Sequence, residues 1–488
     1  MIFSSMLFLW VFLPVVIVGN LILGALPVEK KTRMKLKNRF LLIASLFFYA
    51  WGGVYYLFLI LAVIVINYFG AMLIAGAGKN PKSGKLAKSR TAGQKFFLVL
   101  TILLDLGFLF YFKYFNLLIH TIERIRKMET GAFGLREVIL PIGISFYIFQ
   151  AMSYVADVYR QQTELQDNIF DFALYISLFP QLIAGPIVQY KDIENQIYTR
   201  KESPAKFANG IMRFCYGLGK KVLIANILAE AVDQIWEFDV TKIGPGVALF
   251  GTVAYTLQIY YDFSGYSDMA IGLGSMLGFT FRENFRLPYI AHSIQEFWRR
   301  WHISLSSWFK EYVYIPLGGN RLGLPRTCVN LFLVFLLTGI WHGANYTFFF
   351  WGIYYAIFII LERTLTGKFF DKHRIIGRIY TIAVVAVGWI FFRADSLADA
   401  FFYILGFFRF GAREYSVLQF MSMKMLLALV FGILFSGAVS NHIGNFYKKN
   451  RTKAYIRIPD IALEMLILIV CIFMLAKGTY NPFIYFQF

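Results

Sequence analysis

Cysteine and charged residues are scarce in this 488-residue sequence. Its three cysteines, Cys215, Cys328 and Cys471, are far apart in apolar surroundings, which predicts neither a disulfide framework nor a zinc site. Charged residues make up 16% of the chain and hydrophobic residues 58%, against roughly 25% and roughly 45–50% in soluble domains. The composition therefore argues against a water-soluble protein. It also excludes a disordered chain, because so much apolar surface does not stay solvated.

Several signatures of soluble enzymes are missing as well. There is no G-x-x-x-x-G-K-[ST] phosphate loop, which argues against an ATPase, and no G-x-S-x-G elbow to support a hydrolase-type serine nucleophile. No set of cysteines and histidines has metal-ligand spacing. Gly272, Gly274 and Gly278 are only a weak dinucleotide signal.

Basic residues outnumber acidic residues, 48 to 28, which gives the chain a net charge of +20. The basic residues gather in short stretches between apolar runs, as the positive-inside rule requires of cytoplasmic loops. This distribution predicts a membrane protein without a nucleic-acid partner. The aromatic content of 19% suits a chain whose rings anchor at the bilayer interface.

The distribution of apolar runs predicts a multi-pass topology. Residues 6–27 read as an uncleaved anchor with its N-terminus outside, because no positive charge precedes them and a basic stretch at 30–39 follows. Residues 40–76 carry no charge and are long enough for two crossings, with a turn at 51–53. The lysines and Arg90 within 76–95 mark the cytoplasmic side again. A last basic loop at 448–457 places the C-terminal tail, 481–488, outside.

Further apolar runs lead to a predicted all-α polytopic membrane protein. They lie at 96–119, 139–158, 169–189, 209–232, 246–262, 328–340, 345–361, 376–392, 397–410, 421–439 and 461–476. Some are too short or too broken to be full spans, and Pro180, Gly185 and Pro186 predict a re-entrant wall around a cavity. We expect ten to thirteen membrane segments in one integral-membrane domain, 1–488. No internal repeat is visible, which weakens the case for an inverted-repeat transporter.

One long segment, 282–326, is not an apolar run, and its excess of basic residues is typical of a cytoplasmic segment. Ser293 and Glu296 have the spacing of a capping box, which predicts a helix start. The aromatic positions that follow recur at helical spacing through Tyr312, with charged residues mostly on the other face. The segment reads as one amphipathic helix, either at the membrane interface as a structural belt or tilted into the protein. His302 lies on the aromatic stripe, where an imidazole needs a partner.

Polar residues inside apolar runs are costly and mark candidate sites. His342, in the apolar stretch from Cys328 to Leu361, is either a neutral histidine that packs helices together or a general base. Asp262 and Asp268 could bind a cation, orient a histidine or cap the next helix. Three isolated charges near the ends of apolar runs are interpreted as paired structural groups: Asp105, Lys113 and Asp157. Four histidines at the edges of predicted spans are interpreted as solvated: His120, His292, His373 and His442.

Motifs along the whole chain resemble the membrane-bound O-acyltransferase (MBOAT) family, and within it the branch that acetylates alginate-like polymers. They are MIFSS at 1–5, PIGISFYIFQ at 141–150, DVYR at 157–160, FPQ at 179–181, AGPI at 184–187, DFSGYSD at 262–268, EFWRRWHISLS at 296–306, PLGGNR at 316–321, WHG at 341–343 and NPFIYF at 481–486. The resemblance implies an MBOAT-like funnel with re-entrant and interfacial helices.

The same resemblance implies a chemistry and its residues. His342 takes the family's catalytic histidine position and His302 that of the second family histidine. The acyl group comes from a cytoplasmic thioester, acetyl-CoA or an acyl carrier, as a substrate and not as a bound cofactor. Arg299 and Arg300 suit its phosphates. The other candidate substrate-binding residues are Trp301, Asp262, Asp268 and Asn345, and no residue is assigned to a metal.

The implied setting is the bacterial inner membrane, with membrane lipid around the chain. The acceptor is an extracytoplasmic polysaccharide: an alginate-like exopolysaccharide, cellulose or peptidoglycan. An SGNH-type acetyltransferase is the expected partner. Three alternatives stay open at this point: D-alanyl transfer to teichoic acid from a carrier protein, a lipid-linked sugar transporter or flippase with histidine as a proton relay, and a scaffold without chemistry of its own.

Overall fold

The computed structural model describes residues 1–78, 90–129, 131–412, 414–450, 453–478 and 480–484. All regular elements in these ranges are helices, with no strand among them, so the predicted all-α class is confirmed. Part of what the sequence predicts falls outside the described ranges. These residues are Lys79, Lys82, Lys85, Lys88 and Arg451, which support the orientation, and Tyr485 to Phe488 of the C-terminal tail.

Helices suited to cross a membrane confirm the polytopic class. Within the described residues, seven are long and apolar enough, and an eighth is counted if a pair bent by 66° forms one span. The seven are Phe8–Ala25, Val54–Ala77, Ala92–Ile125, Gly323–His342, Tyr346–Lys372, Arg374–Arg393 and Tyr455–Lys477, and the pair is Met423–Ser436 with Val439–Tyr447. The other predicted membrane segments form shorter, broken or more polar helices.

The chain divides into two compact units. The first comprises Met1–Ile211 and Ala270–Arg282, and the second comprises Met212–Met269 and Glu283–Phe488. Two helices, Pro204–Gly219 and Pro245–Met276, each begin in one unit and end in the other. The α-helices that lie entirely in the first unit are Leu13–Ala25, Lys30–Ala50, Val54–Ala77, Ala92–Leu109, Phe115–Ile125, Ile144–Arg160, Ile169–Ser177, Phe179–Leu182 and Tyr190–Thr199.

Two breaks in the first unit follow from glycine and proline. The charge-free run divides at the predicted turn, between Lys30–Ala50 and Val54–Ala77, and Gly53 adopts φ +151°, which favours glycine. The run with Pro180 also breaks, into Ile169–Ser177 and the single turn Phe179–Leu182. Groups freed there are paired within the protein: Phe179 N donates to Ser45 Oγ at 3.1 Å. The re-entrant wall itself stays a prediction.

The second unit contains both candidate histidines. Its α-helices are Asn226–Glu237, Ile294–Arg300, Ile303–Phe309, Gly323–His342, Tyr346–Leu361, Gly367–Lys372, Arg374–Arg393, Leu397–Gly406, Met423–Ser436, Ala438–Asn450 and Ala454–Lys477. Its core is rich in buried aromatic rings, among them Trp298, Trp301, Trp351 and Trp389. Rings of this size bury more area than aliphatic side chains and dominate the packing.

The helices Gly323–His342 and Tyr346–Leu361 approach closely because both carry glycine at their contact. A Cβ atom on Gly339 would lie 2.3 Å from the Phe348 carbonyl oxygen and 3.0 Å from Gly352 Cα. Only a residue without a side chain fits there. The space beside Gly339 is therefore filled by the backbone of the neighbouring helix, which packs against the helix that ends at His342.

Candidate active site

The helix start predicted at Ser293 is present. Ser293 Oγ accepts a hydrogen bond from Glu296 N at 3.0 Å, as an N-cap residue does. The Glu296 carboxylate accepts from His292 N at 2.9 Å, one residue earlier than in a capping box. The cap is confirmed, and it fixes the beginning of the segment that leads to His302.

The prediction of a single amphipathic helix from this cap to Tyr312 is wrong. The segment forms two short helices, Ile294–Arg300 and Ile303–Phe309, with a break at Trp301 and His302. His302 adopts φ +42°, a left-handed conformation that is rare for a residue with a side chain. The break persists because Asn284 takes the next two amide groups: its carbonyl accepts from Ile303 N at 2.9 Å and its Oδ1 from Ser304 N at 3.1 Å.

The aromatic stripe lies inside the protein, not on its surface. Trp298 is 8% exposed and Trp301 is 3% exposed. Their rings pack against aromatic side chains of other helices: Trp298 lies 4.9 Å from Tyr355, and Trp301 lies 4.8 Å from Trp389, between ring centroids. Of the two interpretations from sequence, a surface belt and a helix tilted into the protein, the contacts support the second.

His302 is enclosed by aromatic and polar groups. Its side chain is buried, with the ring edge-on to Phe263 at 4.6 Å and Nδ1 3.2 Å from Asn284 Oδ1. Burial lowers the pKa of His302 from its ordinary value of 6.5 to about 3. The imidazole is therefore neutral at physiological pH, and it acts as a hydrogen-bonding group and not as a cation.

His302 lines a large cavity in this unit, a space of about 400 Å³. Three cationic side chains, Arg299, Lys310 and Arg363, lie on its wall, and most of the remaining lining is apolar. The other lining residues are Gln295, Trp298, Ile303, Leu305, Ser306, Ser307, Phe309, Tyr314, Leu331, Val334, Phe335, Thr338 and Ile359. The volume falls within the roughly 300–1,000 Å³ typical of small-molecule sites.

His342 is the last residue of the helix Gly323–His342. The apolar stretch from Cys328 to Leu361 is interrupted because Gly343 is extended and Asn345 caps the following helix by accepting from Thr347 N at 3.2 Å. The His342 ring packs edge-on against Trp351 and Phe392, each at 5.1 Å.

His342 lines a second, small cavity of about 20 Å³, room for roughly one water molecule. Predicted site residues Asp262 and Trp301 lie on the same wall. The other lining residues are Ile259, Phe263, Trp389, Phe392, Phe483 and Ile484. The two candidate histidines thus line different cavities, His302 the larger and His342 the smaller.

Asp262 forms a buried ion pair that sequence reasoning missed. Lys221 Nζ lies 2.5 Å from Asp262 Oδ1, and both side chains are 2% exposed. Lys221 also donates to the Pro482 carbonyl, and Asp262 accepts from Ile484 N at 2.9 Å. The pair therefore fastens the C-terminal segment to the wall of the His342 cavity. Lys221 was detectable as a charge inside the apolar run 209–232.

Asp268 belongs to a different cluster. It pairs with Arg213 at 2.8 Å and Lys220 at 2.6 Å, and Arg213 also contacts Glu283. Neither Asp262 nor Asp268 caps a helix, because both lie within the helix Pro245–Met276. Asp268 does not line either histidine cavity.

Arg300 and Asn345 are engaged away from both cavities. Arg300 contacts the Glu296 carboxylate at 2.7 Å and donates to the Arg286 carbonyl at 3.1 Å. Asn345 donates to the Asp395 carbonyl at 2.8 Å in addition to its capping role. Of the two arginines predicted to bind phosphate, only Arg299 lines the large cavity.

Three cationic side chains share a local geometry: Lys310 and Arg363 line the large cavity, and Lys221 pairs with Asp262. Lys221, Lys310 and Arg363 each lie on a π-helical turn: Lys220–Ala225, Lys310–Tyr314 and Glu362–Thr366. A π-helical turn contains an extra residue and rotates the faces of the residues after it, and such turns are frequent at functional sites. Helical periodicity read from the sequence placed neither Lys310 nor Arg363 at a cavity.

Trp341 contacts both histidines. Its ring centroid lies 6.1 Å from that of His302 and 5.1 Å from that of His342. Phe263 makes a second connection, since it contacts His302 and lines the His342 cavity. Two aromatic side chains thus lie at the junction of the two histidine environments.

Comparison with known proteins gives consistent matches. A sequence profile of the membrane-bound O-acyltransferase family matches residues 101–398. The probable alginate O-acetylase AlgI of Pseudomonas putida is 39% identical over 507 residues, covering 100% of both chains. The peptidoglycan O-acetyltransferase of Helicobacter pylori is 36% identical, over 82% of this chain and 78% of its own. The teichoic acid D-alanyltransferase of Bacillus subtilis is 26% identical, over 47% of this chain and 60% of its own.

Proposed function

Because this chain belongs to the membrane-bound O-acyltransferase family, we propose that it transfers an acetyl group from a thioester donor toward hydroxyl groups of an extracytoplasmic polysaccharide. The protein is a multi-pass membrane O-acyltransferase. The observation that carries the finer proposal is the pair of histidine environments: His302 on a roomy, cation-lined cavity and His342 on a small one, with Trp341 against both.

The large cavity suits the donor. A coenzyme A or phosphopantetheine thioester combines anionic phosphates with a slender, partly apolar arm. Arg299, Lys310 and Arg363 supply positive charge for the phosphates, and the apolar lining accommodates the arm. Arg300 is a less suitable phosphate ligand because its guanidinium is already paired with Glu296.

His342 suits the role of general base. An acceptor hydroxyl loses its proton to the imidazole as its oxygen attacks the thioester carbonyl carbon. The new C–O ester bond forms, the C–S bond breaks, and the thiolate leaves and takes up the proton. The thioester is already activated, so positioning and exclusion of water supply much of the remaining rate enhancement. The tight, aromatic surroundings of His342 keep bulk water away from this step.

The relatives favour acetyl over D-alanyl transfer. Those named as acetylases or acetyltransferases align with 100% and 82% of this chain, whereas the D-alanyltransferase aligns with 47%. We infer an alginate-like exopolysaccharide as the first candidate acceptor, with cellulose and peptidoglycan as alternatives. Mass spectrometry of secreted and wall glycans from a deletion strain identifies the polymer that loses its acetyl groups.

The proposed setting completes the reaction scheme. We place the chain in the bacterial inner membrane, with the segment 282–326 toward the cytoplasmic donor and both termini outside. An SGNH-type partner then finishes acetylation outside the membrane. Co-purification of such a protein with the full chain, and its requirement for polymer acetylation, tests this placement.

The decisive experiment measures acyl transfer itself. Purified protein in liposomes receives radioactive acetyl-CoA and a soluble acceptor glycan, with the proposed partner where acceptor labelling requires it. We expect labelled acceptor, and a loss of about 10²-fold or more in kcat for His342→Ala. The matched control is His373→Ala, because His373 is exposed and lines neither histidine cavity. Near-normal turnover by folded His342→Ala contradicts the base assignment. Glycan movement without thioester consumption indicates a transporter instead.

A further inference from the structure

Asn284 connects the chain on both sides of the His302 break. Ile303 N donates to its backbone carbonyl at 2.9 Å, and Ser304 N donates to its side-chain Oδ1 at 3.1 Å. Two residues further on, Arg286 N donates to the Arg300 carbonyl at 2.9 Å. Asn284 itself is 1% exposed. These bonds hold the left-handed conformation of His302 from a segment that lies earlier in the chain.

The hydrogen bonds of Asn284 also identify which ring nitrogen of His302 carries the proton. A backbone N–H only donates, so the side-chain atom of Asn284 that receives the Ser304 amide must be the oxygen. His302 Nδ1 lies 3.2 Å from that same oxygen. A bare Nδ1 lone pair would face the oxygen lone pairs, so Nδ1 must carry the hydrogen and donate it.

The Ser304 hydroxyl does not compete for this proton. Its Oγ lies 2.9 Å from Asn284 Oδ1 and 3.4 Å from His302 Nδ1. The hydroxyl rotates to donate to the oxygen, which is the closer of the two, and leaves the proton on Nδ1 in place. Because burial keeps His302 neutral, its other nitrogen, Nε2, has an acceptor lone pair.

We infer that Asn284 is a positioning residue for acyl transfer: it fixes His302 as the Nδ1–H tautomer, and so decides which ring nitrogen donates and which one accepts a hydrogen bond at this site. This inference rests on the proposed function for its kinetic consequence only. The tautomer itself is a property of the resting protein.

The first test is spectroscopic and uses the full chain in lipid. The chain has six histidines, so the ¹⁵N-histidine signal of His302 is assigned by its disappearance in His302→Gln. We expect the wild type to show the Nδ1–H pattern at pH 7. Asn284→Leu removes the acceptor and should introduce the Nε2–H tautomer, whereas Asn284→Asp keeps an acceptor oxygen and should retain Nδ1–H. An Nε2–H spectrum in the wild type overturns the inference, as does an unchanged spectrum in Asn284→Leu.

The second test is kinetic. Outer partners that set a histidine tautomer are worth about 10- to 100-fold, and we expect Asn284→Leu to lower kcat/KM by that amount. Asn284→Asp should recover part of the loss. Ser304→Ala is the matched control, because it removes a neighbouring hydroxyl and keeps the contact between Asn284 and His302, and it should stay within a few-fold of wild type. Wild-type kinetics in Asn284→Leu overturn the positioning role.

The two tests separate two kinds of failure. If the wild-type chain consumes no thioester, the proposed function fails while the spectrum still decides the tautomer. If Asn284→Leu does not fold, the wild-type spectrum and the Asn284→Asp variant still decide the inference. A spectrum of the Asn284→Asp variant that shows both tautomers of His302 counts against the inference.

Discussion

Lys221 Nζ and Asp262 Oδ1 lie 2.5 Å apart, with both side chains 2% exposed, and Asp262 lines the His342 cavity. A charge pair this deeply buried is costly to desolvate, and removal of one partner leaves the other uncompensated. The same two residues bind the backbone at Pro482 and Ile484. Their energetic role is therefore tied to the position of the C-terminal segment beside His342.

Lys221→Met and Asp262→Leu should each lower the free energy of unfolding by about 3–5 kcal/mol, because each leaves a buried charge unpaired. The double variant should recover part of that loss, since no unpaired charge remains. Thermal unfolding in detergent, followed by tryptophan fluorescence, measures the differences.

The control for this cycle is Lys242→Met. Lys242 pairs with Glu414 at 3.3 Å, but its side chain is 52% exposed and that of Glu414 is 48% exposed, so its loss should cost less than about 1 kcal/mol. A Lys221→Met variant as stable as Lys242→Met contradicts the buried-pair argument.

His302 shows most clearly which parts of this site can be predicted from the sequence and which cannot. The cap at Ser293 was readable because the serine and its Glu296 partner are local. The break at His302 was not, since the helical spacing of aromatic residues continues through it and the cause is Asn284, a tertiary contact. Tertiary hydrogen bonds override local periodicity when they satisfy the freed amides.

The cations illustrate a second limit. The charge of Lys221 inside an apolar run was visible in the sequence, but its partner Asp262 lies in another helix. Lys310 and Arg363 face the large cavity from π-helical turns, which a 3.6-residue period does not anticipate. The class of fold and the two histidines follow from composition and motifs, whereas the division into two cavities needs the structure.

Donor binding should depend on the cations of the large cavity. Arg363→Gln and Lys310→Gln should each raise the KM for acetyl-CoA about tenfold, because one charge-assisted hydrogen bond to phosphate contributes about 1.5–3 kcal/mol. The kcat should change little, since these side chains are expected to contact phosphate and not the reacting carbonyl.

Initial rates over a range of acetyl-CoA concentrations measure this split between KM and kcat. Arg374→Gln is the control, as Arg374 is exposed and lines neither histidine cavity. The prediction fails if the cavity variants change kcat with KM unaltered, or if Arg374→Gln raises KM as much as they do.

The buried, neutral state of His302 has a consequence for stability. Its pKa is lowered from 6.5 to about 3 in the folded protein, so between these values the unfolded chain binds a proton that the folded protein does not. The free energy of unfolding should therefore fall as pH decreases from about 6.5, by at most about 1.4 kcal/mol per pH unit from this group. Above pH 6.5 the contribution is constant.

Unfolding measured at several values between pH 4.5 and pH 7.5 tests this slope. His302→Gln should show a shallower decrease than wild type, because it lacks the titrating group, whereas His373→Gln should show the wild-type slope. Equal slopes for His302→Gln and wild type contradict a histidine that is held neutral by burial.

Trp341 should keep water from the thioester. It is 3% exposed, and its ring contacts both His302 and His342, so it lies where the proposed donor and acceptor environments meet. Trp341→Ala removes this ring and opens space between them, and a cavity next to polar histidines admits water. We expect acetyl-CoA hydrolysis without acceptor to rise several-fold, while acetyl transfer to the glycan falls, because exclusion of water prevents such side reactions.

Free thiol release and glycan labelling, measured in parallel, give the ratio of hydrolysis to transfer. Trp341→Phe retains a ring and should stay near the wild-type ratio. Trp236→Ala is the matched control: it also deletes a packed indole, stacked on Tyr403 at 4.6 Å, but Trp236 lines neither histidine cavity. If Trp236→Ala raises hydrolysis as much as Trp341→Ala does, the effect is a general loosening of the core. If Trp341→Ala loses transfer without added hydrolysis, the ring positions the histidines but does not exclude water.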